Sequence, residues 1–197
     1  MNVKTNPKLI LASASPRRVK LLAQIGIFPQ EVRPANIDET PFFHELPRLH
    51  ARRLAVSKAR TIALEEPGCW VLGADTVVAI GRRILPKAMD EGTARQCLQL
   101  ISGRAHRVYG GVALVAPDRR LIERSVVTRV RFKRLDETEI RRYLESGEWN
   151  GKAGGYAIQG RAAAFVVAVN GSYSNVVGLP LFEVASLLSS IGVGENV

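Results

Sequence analysis

One carboxylate, Asp75, interrupts the run "WVLGADTVVAI" from Trp70 to Ile80, which otherwise has the apolar pattern of a strand. On a strand its side chain shares a face with Val71, Gly73, Val77 and Ala79. If the strand is central, the carboxylate leaves water at a cost of several kcal/mol unless something cationic meets it. A metal ion, a lysine, or a water whose proton it takes would each serve, and so would a buried ion pair that supports only the fold. Lys58 repeats the problem on a helix, because it falls inside the apolar stripe of Ala51, Leu54, Ala55 and Ile62. Such a lysine either snorkels to the rim, the usual outcome, or points into a cleft.

The stretch "SASPRR" places a helix start directly after a buried strand. Free first-turn amides, the hydroxyls of Ser13 and Ser15 and the guanidinium groups of Arg17 and Arg18 then suit a phosphate. An ordinary Ser-Pro cap with surface arginines explains the same residues equally well. Lys87 offers another phosphate contact, or is an exposed loop lysine. Glu39 in "NIDET" is either a second metal carboxylate or a loop acid. The glycine-rich "GKAGGYAIQG" indicates a tight turn before a strand, and its Gln159 presents a paired donor and acceptor if it stands at a pocket wall. His44, His50 and His106 fit no zinc-ligand spacing and read as structural or surface groups, and the chain has neither a GxxxxGK[ST] loop nor GxGxxG.

The elements that must position these groups follow from local pattern. "KLILAS" is a buried strand, and the helix after it has Ser15 as N-cap, Pro16 at its first position and Gly26 as a stop. A helix runs from Leu46 to about Leu64. The strand Trp70–Ile80 ends in a polar turn at Gly81-Arg82-Arg83. An amphipathic helix follows, marked by Ala94, Cys97, Leu98 and Ile101, with Gly103 beyond its end. "RVYGGVALVAP" and "RLIERSVVTRVRF" flank "PDRR" as a hairpin, and Asp136 with Glu139 forms a capping box for the next helix. "AAAFVVAVNGSYSNVVG" reads as a strand, an Asn170-Gly171 turn and a short return. The last helix turns Leu181, Val184, Ala185 and Leu188 inward. This order predicts an α/β fold with a mixed sheet.

At 197 residues, 46% hydrophobic and 23% charged, the chain is expected to form one folded unit over 1–197, with no separable linker and, at most, a lobe boundary near Gly81 to Lys87. Its net charge of +10 favours polyanionic partners. Cys69 and Cys97 lie far apart without a CxxC pattern, and the N-terminus lacks the apolar core of a secretion signal. Both features predict core cysteines and a reduced, cytoplasmic setting. The longest uncharged run, Ala162 to Phe182, is broken by Asn170-Gly171 and Pro180, so no membrane span is expected.

Five stretches in order, "LASASPRR", "GADTVV", "SGRAHRVYGGVAL", "KAGGYAIQG" and "VNGSYSNVVGLPL", resemble the Maf proteins, which are nucleoside triphosphate pyrophosphatases, over about Leu9 to Leu188. The resemblance implies an α/β fold related to the inosine triphosphate pyrophosphatases, with two lobes around a mixed sheet and a deep cleft. It also implies a nucleoside triphosphate substrate, a divalent cation such as Mg²⁺ or Mn²⁺, and a homodimer. By it, Asp75 is the general base or metal-associated acid, Glu39 the metal-side acid, and Ser13, Ser15, Arg17, Arg18, Lys58 and Lys87 handle phosphate.

At the positions tied to base choice, Arg17, Thr76 and Gln159, the chain is similar to the branch that acts on dTTP and UTP. A glutamine amide donates to a pyrimidine carbonyl and accepts from the ring N–H, whereas the sister branch for 7-methylguanosine triphosphate carries an acid there. One departure is Lys87-Ala88 where the family has Lys-Pro, with Pro86 displaced one place earlier. A second class of function is a non-catalytic nucleic-acid-binding or cell-division regulator. It is the weaker expectation, because aromatic residues are 6% and none interleaves with a basic cluster.

Overall fold

The computed structural model describes residues 8–193. The ends of the expected 1–197 unit, including the first residues examined for a secretion signal, lie outside them. Strands β1 (Leu9–Ala12), β2 (Glu31–Val32), β3 (Trp70–Ile80), β6 (Ala105–Val115), β7 (Leu121–Phe132) and β9 (Val166–Asn170) form the main sheet in the order β2-β1-β3-β6-β7-β9, with β4 (Arg83–Leu85) folded back on β3. β1 pairs in parallel with β2 and β3, and the other pairings are antiparallel, so the sheet is mixed as expected. β5 (Lys87–Ala88) leaves this sheet and pairs with β8 (Lys152–Ala153) in a small second one. Helices α1 (Pro16–Gln24), α2 (Pro47–Glu65), α3 (Glu91–Ile101), α4 (Glu137–Glu145), α5 (Tyr173–Val177) and α6 (Leu181–Ser189) complete the chain.

The period-two alternation of β1 and β3 sorts their side chains onto two faces. Leu9, Leu11, Leu72 and Ala74 join the larger core with residues of α1, α3, α4 and α6. Ile10, Ala12 and Val71 join a smaller one with Ala55, Ala59 and Ile62 of α2. Asp75 has the parity of Val71 and Gly73, the side that α2 covers.

Two glycines set how close α2 comes. A Cβ on Gly73 would lie 2.4 Å from the carbonyl oxygen of Ala55, and one on Gly111, the cross-strand partner of Asp75, would lie 2.2 Å from that of Ala51. Helix backbone therefore rests directly on strand backbone. Gly111→Ala is expected to lift α2 off the sheet, at roughly 1–3 kcal/mol. This is read as a melting temperature about 2–12 °C lower, together with reduced turnover because Lys58 rides on that helix. An unchanged melting temperature would show that α2 tolerates the methyl.

Most expected elements are present, including the capping box at Asp136 and Glu139, and both cysteines are buried and free. Three details differ. After Asn170-Gly171 there is no returning strand. Ser172 caps the Asn175 amide, and α5 forms because the buried Asn175 side chain donates to the Val108 carbonyl (3.1 Å) and to Thr128 Oγ1 (3.0 Å). The glycine-rich 151–160 segment runs through turns into a short 3₁₀ helix, Arg161–Phe165, before β9 begins. On α6, Leu187 takes the buried position expected for Ala185, which is only partly buried.

Candidate functional site

A cleft of about 590 Å³ opens between the β1–α1 turn, α2 and β3 on one side and the β5–β8 pair on the other. Asp75 and Lys58 form its floor. Lys58 does not snorkel: its Nζ donates to Asp75 Oδ1 at 2.7 Å, with both side chains about 10% exposed. The same Nζ lies 2.5 Å from Glu39 Oε1, on the loop before α2. Burial raises the Glu39 carboxyl's affinity for a proton, but the ammonium of Lys58, with Lys87 and Arg18 behind it, outweighs that and lowers its pKa. Two carboxylates thus converge on one cationic centre.

The β1–α1 turn holds the anion-facing groups. Ser13 Oγ accepts from the Ser15 amide (3.1 Å) and from Arg18 Nη1 (3.0 Å), so its hydroxyl proton is left for an acceptor such as phosphate. Ser15 is the N-cap by position but makes no side-chain cap bond. Arg18 is buried and committed to the protein: Nε donates to the Gly178 carbonyl at 2.9 Å and Nη2 to Thr76 Oγ1 at 3.3 Å. Desolvation lowers its pKa, opposed by Asp75. Thr76 in turn donates to the Gly178 carbonyl at 3.2 Å. These bonds make α5 and its following glycine the rear support of the turn, a role that a returning strand would not have provided.

Arg17 stands further out, with Nε 3.4 Å from the Val177 carbonyl, and partial burial lowers its pKa. Lys87 lines the opposite wall from β5, paired in register with Ala153, so the displaced proline does not take it out of the cleft. Gln159 is exposed at the rim, near Tyr156 and Ile158. Every residue that the sequence offered for the site therefore lines one cleft.

Sequence reasoning missed Lys152, which lines the same wall from β8. Burial lowers its pKa, and so do the like charges of Arg17 and Lys87. Its signal was a cation placed two residues before the Gly154-Gly155 turn. His50, read from the sequence as a structural or surface group, also lines the cleft; it stands eight residues before Lys58 and so on the same face of α2. His50 is buried against Glu45, with Nδ1 2.8 Å from Oε2. His44 is exposed, and His106 is a core group held by Tyr156 at 2.7 Å, its pKa pushed down to about 4 by burial. Among the described residues no cluster of three or more His, Cys, Asp or Glu forms, and no helix is long and apolar enough to cross a membrane. The cation donors on offer are the pair Glu39 and Asp75.

A family model described as Maf-like protein matches residues 8–191. The dTTP/UTP pyrophosphatase of Rhodospirillum rubrum is 61% identical over 189 residues, 96% of this chain and 90% of that one. The protein of the same name from Paramagnetospirillum magneticum is 63% identical over 184 residues, covering 93% and 97%, and that of Caulobacter vibrioides is 58% identical over 186 residues, covering 94% and 96%. Among solved structures, the Staphylococcus aureus Ham1 protein aligns over 63% of this chain and 71% of its own, with a TM-score of 0.46 and 13% identity.

Proposed function

The chain belongs to the Maf family, and from that premise we propose that it hydrolyses dTTP and UTP to the nucleoside monophosphate and pyrophosphate. The observation that carries the reading is the cleft floor. Asp75 is held out of bulk water beside Lys58 and Glu39, and around it Arg17, Lys87 and Lys152 line the walls without a salt-bridge partner among the described residues. Cations crowded together without counter-charge are suited to a triphosphate.

A divalent cation suits the donor set. Glu39 and Asp75 are hard oxygen ligands that already meet on one cationic centre, the Lys58 ammonium at 2.5 and 2.7 Å, and Mg²⁺ is commonly held by one or two carboxylates together with substrate phosphates. When bound by these two side chains, it would neutralise phosphate charge and polarise the reacting phosphorus. The protein's own groups supply the rest. Asp75 accepts the proton of the attacking water as its oxygen forms the new bond to the α-phosphorus. The bond from that phosphorus to the bridging oxygen breaks, and the electron pair leaves with pyrophosphate, whose growing charge meets Lys58, Lys87, Arg17 and Lys152. Ser13 donates its remaining proton to a phosphate oxygen. Arg18 keeps the turn in shape.

At the rim, Gln159 pairs with the pyrimidine edge, donating to a carbonyl and accepting from the ring N–H. Pyrophosphate release from a panel of dTTP, UTP, 7-methylguanosine triphosphate and the common purine nucleotides, with and without chelator, tests the reading. Release from dTTP and UTP that chelator abolishes is expected. Gln159→Glu should lower kcat/KM for both by at least about tenfold relative to 7-methylguanosine triphosphate, because a carboxylate then faces a carbonyl with no donor between them. Unchanged relative rates would remove Gln159 from base selection.

A further inference from the structure

Glu39 sits on an irregular loop, residues 33–46, and its side chain is about half exposed; its own hold on the site is the single ion pair with Lys58. A loop acid held in that way samples many positions unless the backbone beneath it is fixed. Three groups fix it. Arg53 of α2 donates from Nε to Glu45 Oε1 at 2.7 Å and from Nη2 to Glu45 Oε2 at 2.8 Å, a two-pronged pair in which the carboxylate is only 7% exposed. Nη2 also donates to the carbonyl of Thr40, the residue after Glu39, at 3.0 Å. The guanidinium carbon lies 3.9 Å from the centre of the Phe42 ring. Glu45 Oε2 accepts from the Phe42 amide at 3.0 Å and meets His50 Nδ1 at 2.8 Å, which closes the loop on itself and on α2.

We infer that Glu45, Arg53 and His50 are positioning residues: they clasp loop 33–46 to α2, set where Glu39 stands opposite Asp75, and thereby set the protein's affinity for the divalent cation. The inference rests on the cation-dependent reading above. It follows from connectivity. Arg53 and Lys58 belong to the same helix, so one rigid element holds the Thr40 carbonyl with the first and Glu39 with the second. The charge state suits a permanent fastening. Arg53's bonds to Glu45, aided by the Phe42 amide and by His50 and only partly opposed by burial, bring the carboxyl down to about 2. A lowered folded-state value means the contribution is complete above the usual 4.5 and fades only as pH falls towards 2, so the clasp stays closed at neutral pH.

The test compares wild type, Glu45→Gln and Glu39→Gln in two assays. The first is amide hydrogen exchange with neither nucleotide nor cation present. Glu45→Gln should exchange the amides of Asp38, Glu39, Thr40 and Phe42 about tenfold faster while those of β3 stay within about twofold. The second is a calorimetric Mn²⁺ titration in the presence of an α,β-imido analogue of dTTP. Glu45→Gln and Glu39→Gln should both weaken Mn²⁺ by about tenfold, and Glu45→Gln should keep at least about a third of kcat at saturating cation. Faster loop exchange with unchanged Mn²⁺ affinity would reduce the clasp to a purely structural feature and overturn the inference, as would unchanged exchange. Wild-type turnover of dTTP at full rate in chelator would instead overturn the cation reading, and with it the link to cation affinity, while the exchange assay would still decide whether the clasp holds the loop.

Discussion

Asp75→Asn is expected to lower kcat with dTTP by about 10²- to 10⁴-fold, the range for removing a positioned general base, and to leave the fold in place. The amide matches the carboxylate in shape but cannot take the proton of the attacking water, and it is a weaker ligand for a hard cation. The fold survives because Lys58 does not lose its last acceptor: Glu39 Oε1 remains 2.5 Å away. The variant should therefore melt within about 5 °C of wild type, which corresponds to a loss of no more than about 2 kcal/mol in a chain of this size. Turnover near the wild-type rate with cation and dTTP present would sink the mechanism.

Lys58→Met should behave in the opposite way, losing stability as well as activity. The methionine fills the space of the lysine stem but leaves Asp75 as a carboxylate in a nearly dry site, with its direct partner gone. Breaking a buried pair from one side costs roughly 3–5 kcal/mol, because the remaining charge stays desolvated. The melting temperature should fall by about 6–20 °C at 2–4 °C per kcal/mol. Adding Asp75→Asn to Lys58→Met removes the stranded charge, so the double variant should recover much of that loss while remaining inactive, a coupling that a double-mutant cycle reads directly. A Lys58→Met protein that melts within about 2 °C of wild type would mean that water already solvates Asp75.

These two variants differ because the site is a triad and not a pair. Lys58 has two carboxylate partners, whereas Asp75 has Lys58 as its only hydrogen-bonded cation among the described residues. Arg18 reaches Asp75 only through longer-range attraction, since its nitrogens are given to Ser13, Thr76 and Gly178. The sequence offers it as a phosphate arginine, and its bonds in the structure also brace the β1–α1 turn. Arg17, its neighbour, also lines the cleft and has a single, longer bond to the Val177 carbonyl.

Much of this protein is written in local pattern. The Ser15-Pro16 start of α1, the period-two run of β3 and the Asp136–Glu139 capping box each depend on residues a few places apart, so the sequence alone placed them. It also marked Asp75 as an anomaly, since a carboxylate in an apolar strand is costly wherever that strand lies. What the chain alone left open was the identity of its partner: Lys58 could snorkel to the rim or point into a cleft, and the contact of α2 backbone with Gly73 and Gly111 brings it to Asp75. Nothing in the sequence joined Glu45, His50 and Arg53 to one another, because their bonds depend on how an irregular loop folds against a helix. α5 was misread for a related reason: its short sequence suits a strand or a helix, and the buried Asn175 bonds to β6 and β7 decide between them. Elements follow from short-range periodicity, while catalytic proximity is set by register and by helix-to-sheet distance, which separate segments fix only when they pack.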